Sequence, residues 1–87
     1  MKEKFAQYLI NEGYSETTPR GKPSTVYDYQ KRIDKVCKME NMTWEELADS
    51  IGRIITQYDV GGIKEDLGNA SKRAVINALK RFQEFLT

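Results

Sequence analysis

Eighty-seven residues, 31% charged and 39% hydrophobic, describe one small folded domain over 1–87 and exclude wholesale disorder. The absence of histidine and the single cysteine, Cys37, exclude histidine-based acid–base catalysis, histidine-containing or thiolate-rich zinc sites and an internal disulfide. No apolar run approaches the ~20 residues that cross a bilayer, and Met1-Lys2-Glu3-Lys4-Phe5 lacks the apolar stretch of a signal peptide, so a cytoplasmic location is expected.

In chain order, a first helix is expected from about Lys2 to Glu12, with Phe5, Tyr8 and Leu9 on one face and Gly13 as its stop. The segment from Tyr14 to Pro23 contains Pro19, Gly21 and Pro23 and reads as a loop whose Arg20 and Lys22 reach outward. Ser24 can cap a second helix whose inward stripe is Val26, Tyr29, Ile33, Val36 and Cys37, ending near Met39. Thr43-Trp44-Glu45-Glu46 has the form of a capping box, opening a third helix with Leu47, Ala48, Ile51, Ile54, Ile55 and Tyr58 on its apolar face. Gly52 within that helix costs about 1 kcal/mol relative to alanine, for which a close helix contact is the expected reason. Gly61-Gly62 ends it, with room for a short helical turn over 63–67. The last helix runs from about Asn69 or Ser71 to Leu86, with Val75, Ala78, Leu79, Phe82 and Leu86 inward, and Phe82 is expected between the second and third helices. The fold class is therefore all-α, a compact bundle of four helices with an optional extra turn.

The net charge of +1 conceals segregation. Residues 1–19 carry −1, residues 20–39 carry +4, residues 40–70 carry −5 and residues 71–87 carry +3. If the two basic segments pack side by side, the fold has one positive face. Catalytic signals are missing. Gly61-Gly62 and Gly68 are followed by no Gly-Lys-Ser/Thr, and Glu45-Glu46 and Glu65-Asp66 are sequence neighbours that diverge on a helix. The chain is expected not to be an enzyme and to need no cofactor or metal.

Four motifs occur in an order that resembles the N-terminal core-binding domain, of SAM-like fold, of tyrosine recombinases and phage integrases. They are Phe5-Ala6-Gln7-Tyr8-Leu9, Ser24-Thr25-Val26-Tyr27-Asp28-Tyr29, Thr43-Trp44-Glu45-Glu46-Leu47, and Ser71-Lys72-Arg73 with Asn77-Ala78-Leu79-Lys80-Arg81-Phe82-Gln83-Glu84-Phe85-Leu86. The similarity covers essentially the whole chain, and one departure is a longer connection from Gly13 to Ser24.

The resemblance implies a DNA-binding domain of a site-specific recombinase, non-catalytic in itself. It forms half of a clamp on duplex DNA, with its second and fourth helices against the major groove. The implied partners are double-stranded DNA, a separate C-terminal catalytic domain and, as a further option, other recombinase subunits. An excised domain of a longer integrase is expected. On the residues, Lys22 and Ser24 at the helix start, Thr25, and Lys31, Arg32 and Lys35 along the second helix are the candidate contacts, together with Lys72, Arg73, Asn77 and Lys80 on the last. Arg73 and Asn77, four apart, are the candidates for base edges. The alternative is a helical protein–protein interaction or oligomerisation module, in which the acidic segment of one copy meets the basic face of another.

Overall fold

In the computed structural model, residues 1–14 and 25–87 are described, without the Ser71 side chain. Helix α1 spans Lys2–Asn11, α2 Thr25–Glu40, α3 Trp44–Asp49, α4 Ile51–Tyr58 and α5 Glu65–Leu86. There is no strand among the described residues, as the all-α expectation requires. Ser24, the expected cap of α2, lies outside the described residues, as does Lys22.

The helix ends follow local chemistry. After α1, Gly13 sits at φ +97°, Gly13 N–H donates to the Ile10 carbonyl, and Tyr14 N–H donates to the Leu9 carbonyl, both at 3.0 Å. This is the Schellman closure that a left-handed glycine makes easy. Asn41 does the same for α2 at φ +56°, with Met42 N–H donating to the Cys37 carbonyl at 2.9 Å. Asparagine tolerates that backbone better than most residues. The capping box that opens α3 is complete: Glu46 N–H donates to Thr43 Oγ1 at 3.1 Å, and Thr43 N–H donates to Glu46 Oε1 at 3.0 Å.

Two expected elements differ. The single third helix is two, separated at Ser50, whose backbone (φ −112°, ψ 11°) leaves helical geometry. The apolar period runs unbroken through that point, so only the poor helix formers Ser50 and Gly52 marked it. The last helix begins earlier than expected, at Glu65, absorbing the short turn foreseen over 63–67. Among the described residues, five helical spans therefore stand where four were expected.

α5 is itself interrupted. Lys72 and Arg73 both have left-handed backbones, at φ +59° and +67°. Side-chain-bearing residues cost roughly 1–2 kcal/mol each in that conformation. In a regular helix Lys72→Gly would cost about 1 kcal/mol. Here it is expected to leave stability unchanged or raise it, measured by urea denaturation; a loss of that size would show an uninterrupted helix.

The core is a single cluster. Phe5 and Leu9 from α1, Val26, Ile33, Val36 and Cys37 from α2, Leu47 from α3, Ile54 and Tyr58 from α4, and Val75, Ile76, Ala78, Leu79 and Phe82 from α5 are all buried. The expected stripes are recovered, with Tyr29 half-buried at their edge. Phe82 is fully buried; Phe5 of α1 (5.3 Å between centroids) and Trp44 of α3 (5.4 Å) meet its ring edge-on, and Phe85 stacks on it at 6.0 Å.

Among the described residues, the close contact expected at Gly52 is absent: a Cβ there would meet nothing within 4 Å. Gly68 is a glycine whose lack of a side chain the packing does require. It lets the first turns of α5 lie directly on the backbone of Tyr58, where a Cβ would collide with the Tyr58 carbonyl.

Candidate nucleic-acid interface

α2 and α5 pack against each other, and both contribute buried residues to the core. Between them lies an open groove of about 270 Å³, lined on one side by Thr25, Asp28, Tyr29 and Arg32 and on the other by Lys72, Ala74 and Asn77. Their spacing explains the convergence. Thr25, Asp28, Tyr29 and Arg32 repeat at three- and four-residue steps and so share one flank of α2. Four of the ten sequence candidates, Thr25, Arg32, Lys72 and Asn77, thus border one cavity.

The positive surface continues along α2. Lys31, Arg32, Lys35 and Lys38 surround a second open depression of about 450 Å³, with Asp34 as its one acid. Arg32 borders both hollows. None of Lys31, Arg32, Lys35 or Lys72 takes part in an ion pair among the described residues.

Asp34 is less a member of this surface than a tie between helices. Its carboxylate accepts from Lys2 Nζ at 2.7 Å and from Trp44 Nε1 at 2.8 Å, joining α1, α2 and α3. Burial alone would raise its pKa, but those two hydrogen bonds and the charges of Lys2 and Lys38 hold the carboxyl below its ordinary range.

The other basic candidates on α5 are placed differently. Arg73 and Lys80 both reach Asp59, at 3.3 and 3.1 Å, at the corner between α4 and α5. The Val60 N–H bond, then Lys80 and Arg73, lower the pKa of that carboxyl. Arg81 is half-buried, pairs with Glu84 at 3.1 Å, and feels Tyr14 and Tyr29. The helical interval that placed Arg73 and Asn77 on one face is broken by the left-handed turn at Lys72 and Arg73. Asn77 borders the groove, and Arg73 faces Asp59 instead.

Tyr29, part of the inward stripe of α2, lines the groove as well. Burial, followed by the charge and hydrogen bond of Tyr14, raises its pKa, so at neutral pH its hydroxyl stays a donor. The sequence did hold a signal for this. Tyr29 sits four residues after Thr25 and three before Arg32, at the boundary between the apolar and basic flanks.

Chemically, the groove offers cationic and amide donors beside one carboxylate and one aromatic edge. It suits a polyanion that also presents hydrogen-bonding edges. No group of three Cys, Asp or Glu side chains comes together to hold a metal ion among the described residues, and no described helix is long and apolar enough to cross a membrane. Compared with known proteins, the chain matches no family model, no curated protein and no solved structure.

Proposed function

We propose that this domain binds duplex DNA through the α2–α5 groove, as the non-catalytic core-binding half of a clamp in a site-specific tyrosine recombinase. Its partners in this reading are the DNA duplex and a catalytic domain of the same protein that grips the opposite side. The domain itself carries out no chemistry and needs no cofactor. What supports this reading is one observation: Thr25 and Arg32 of α2 face Lys72 and Asn77 of α5 across a single groove. Lys31 and Lys35, with no ion pair among the described residues, extend it along the same helix.

Arg32 and Lys72 are the principal phosphate contacts, and Asn77 is the candidate for a base edge. Lys22 and Ser24, outside the described residues, remain part of the proposal as backbone contacts at the start of α2. Arg73 and Lys80 contribute less, because Asp59 already engages them.

Binding through roughly five phosphates by one small domain should be weak, with a dissociation constant on the order of 10⁻⁴–10⁻⁶ M, and doubling the salt should weaken it about 20-fold. Fluorescence anisotropy on a labelled duplex at two salt concentrations reads both quantities. Arg32→Glu and Lys72→Glu are each expected to weaken binding about tenfold and to flatten the salt dependence. Lys80→Glu should do much less, and Asp59→Asn, which releases two cations, should tighten binding. Salt-insensitive binding, no binding at low salt, or an equal loss from Lys80→Glu would overturn the proposal.

A further inference from the structure

The corner between α4 and α5 carries an apolar surface that the DNA-binding reading does not use. Val60 is 70% exposed, Ile63 85% and Leu67 47%. Three large aliphatic side chains so close together in sequence, and so open to water, are unusual on a small domain whose other aliphatics mostly feed one core.

The corner that presents them is held firmly. Lys64 N–H donates to the Gln57 carbonyl at 2.8 Å, Gly62 N–H to the Asp59 carbonyl at 2.9 Å, and Gly61 N–H to Glu65 Oε2 at 3.2 Å. Gly62 lies so close to the Thr56 and Gln57 carbonyls that a Cβ would collide with both. The Lys64 ammonium is drawn down onto Glu40 and over the Tyr58 ring. These constraints fix the tip before any partner arrives, which lowers the ordering cost of docking.

Charge indicates the partner. Asp59 is engaged by Arg73 and Lys80, and Lys64 by Glu40, leaving Glu65 and Asp66 as acids with no ion pair among the described residues. The tip is therefore an apolar knob with an acidic rim. Its complement is a basic surface with a hollow and some apolar area. This chain carries such a surface on α2: the 450 Å³ depression bordered by Lys31, Lys35 and Lys38, next to Tyr27, which is 48% exposed.

We propose that the knob of Val60, Ile63 and Leu67 docks head-to-tail on the basic α2 flank of a second copy of this chain. The contact joins two different surfaces, so it leaves an open knob at one end and an open flank at the other and adds further copies. Lys31 and Lys35 would then serve either a second copy or a phosphate backbone, and the two occupants exclude each other. A contact this small is transient, with a dissociation constant on the order of 10⁻⁴ M.

The test needs no DNA, so its outcome is independent of the DNA-binding proposal. Sedimentation equilibrium of the intact chain from 10⁻⁵ to 10⁻³ M, on the order of the expected constant and tenfold either side, should show the mean mass rising with concentration. Ile63→Asp, and separately the double variant Lys31→Glu/Lys35→Glu, should weaken self-association about 10- to 100-fold. All three positions are exposed, and circular dichroism checks that each variant folds.

An equimolar mixture of the two variants is the decisive arm. One retains the flank and the other retains the knob, so they should form 1:1 pairs and nothing larger. An intact chain that stays monomeric at the highest concentration, an Ile63→Asp variant that assembles like the parent, or a mixture that fails to pair would each overturn the proposal.

Discussion

Phe82→Ala is expected to destabilise the domain by about 3–5 kcal/mol, the usual cost of removing a buried phenylalanine ring. Phe82 is fully buried, and its ring belongs to an aromatic cluster. Phe5 and Trp44 meet it edge-on, and Phe85 stacks at 6.0 Å. Phe5 in turn touches Trp44 and Phe85, and Tyr8 touches Phe85. Removing the Phe82 ring therefore opens a cavity among α1, α3 and α5 that the surrounding rings, fixed to three separate helices, cannot readily fill. For a domain of ordinary stability this is a large share of the total. Urea denaturation of the parent and the variant checks it, and a loss below 2 kcal/mol would mean that the aromatic cluster relaxes far more than its geometry suggests.

Glu40→Gln should cost about 2 kcal/mol at neutral pH, and the loss should fade in acid. The Glu40 carboxylate, with a side chain only 9% exposed, accepts from Tyr58 Oη at 2.8 Å and from Lys64 Nζ. It thereby joins the end of α2 to the end of α4 and the entry to α5. Burial raises its pKa, but the hydrogen bonds from Lys64 and Tyr58, with the charges of Lys64 and Arg53, outweigh burial and hold it below the ordinary value of 4.5. The same contact acts in reverse on Tyr58, whose hydroxyl is pushed up by burial and then by Glu40.

A carboxyl whose pKa is lowered by folding stabilises the folded state above its ordinary value. That contribution is lost as the pH falls through the lowered one. Glutamine keeps an acceptor for Tyr58 but leaves Lys64 without its counter-charge. Parent and variant should thus differ at pH 7 and draw together as the pH falls below 4.5 and through the lowered value. A difference that did not shrink at all as the solution is acidified would show that the effect is one of packing and not of charge.

Much of this architecture was legible from residue patterns. The helix stripes, the Thr43–Glu46 box and the Gly13 stop depend on interactions within a few positions, which local spacing encodes directly. What escaped was set by distant contacts. Nothing in the unbroken apolar period over 43–58 announces the break at Ser50, and nothing in the run around Lys72 and Arg73 announces two left-handed residues. The constraint on Gly68 comes from Tyr58, a residue on another helix.

For the candidate site, the charge pattern of α2 carried over well, because one helix face is a local property. That of α5 carried over poorly. Counting charges assigned +3 to its segment with Glu84 already subtracted, yet Asp59, outside that segment, holds Arg73 and Lys80. Acids from outside a basic face can engage its cations without altering the local sequence pattern at all.

The lone sulfhydryl has a practical consequence. Cys37 is 7% exposed, and burial, reinforced by the charges of Asp34 and Glu45, pushes its pKa up to about 11. At pH 7 roughly one molecule in 10⁴ carries the reactive anion. Covalent cross-linking between copies through sulfur is correspondingly slow, and any larger species formed by fresh material should fall apart on dilution.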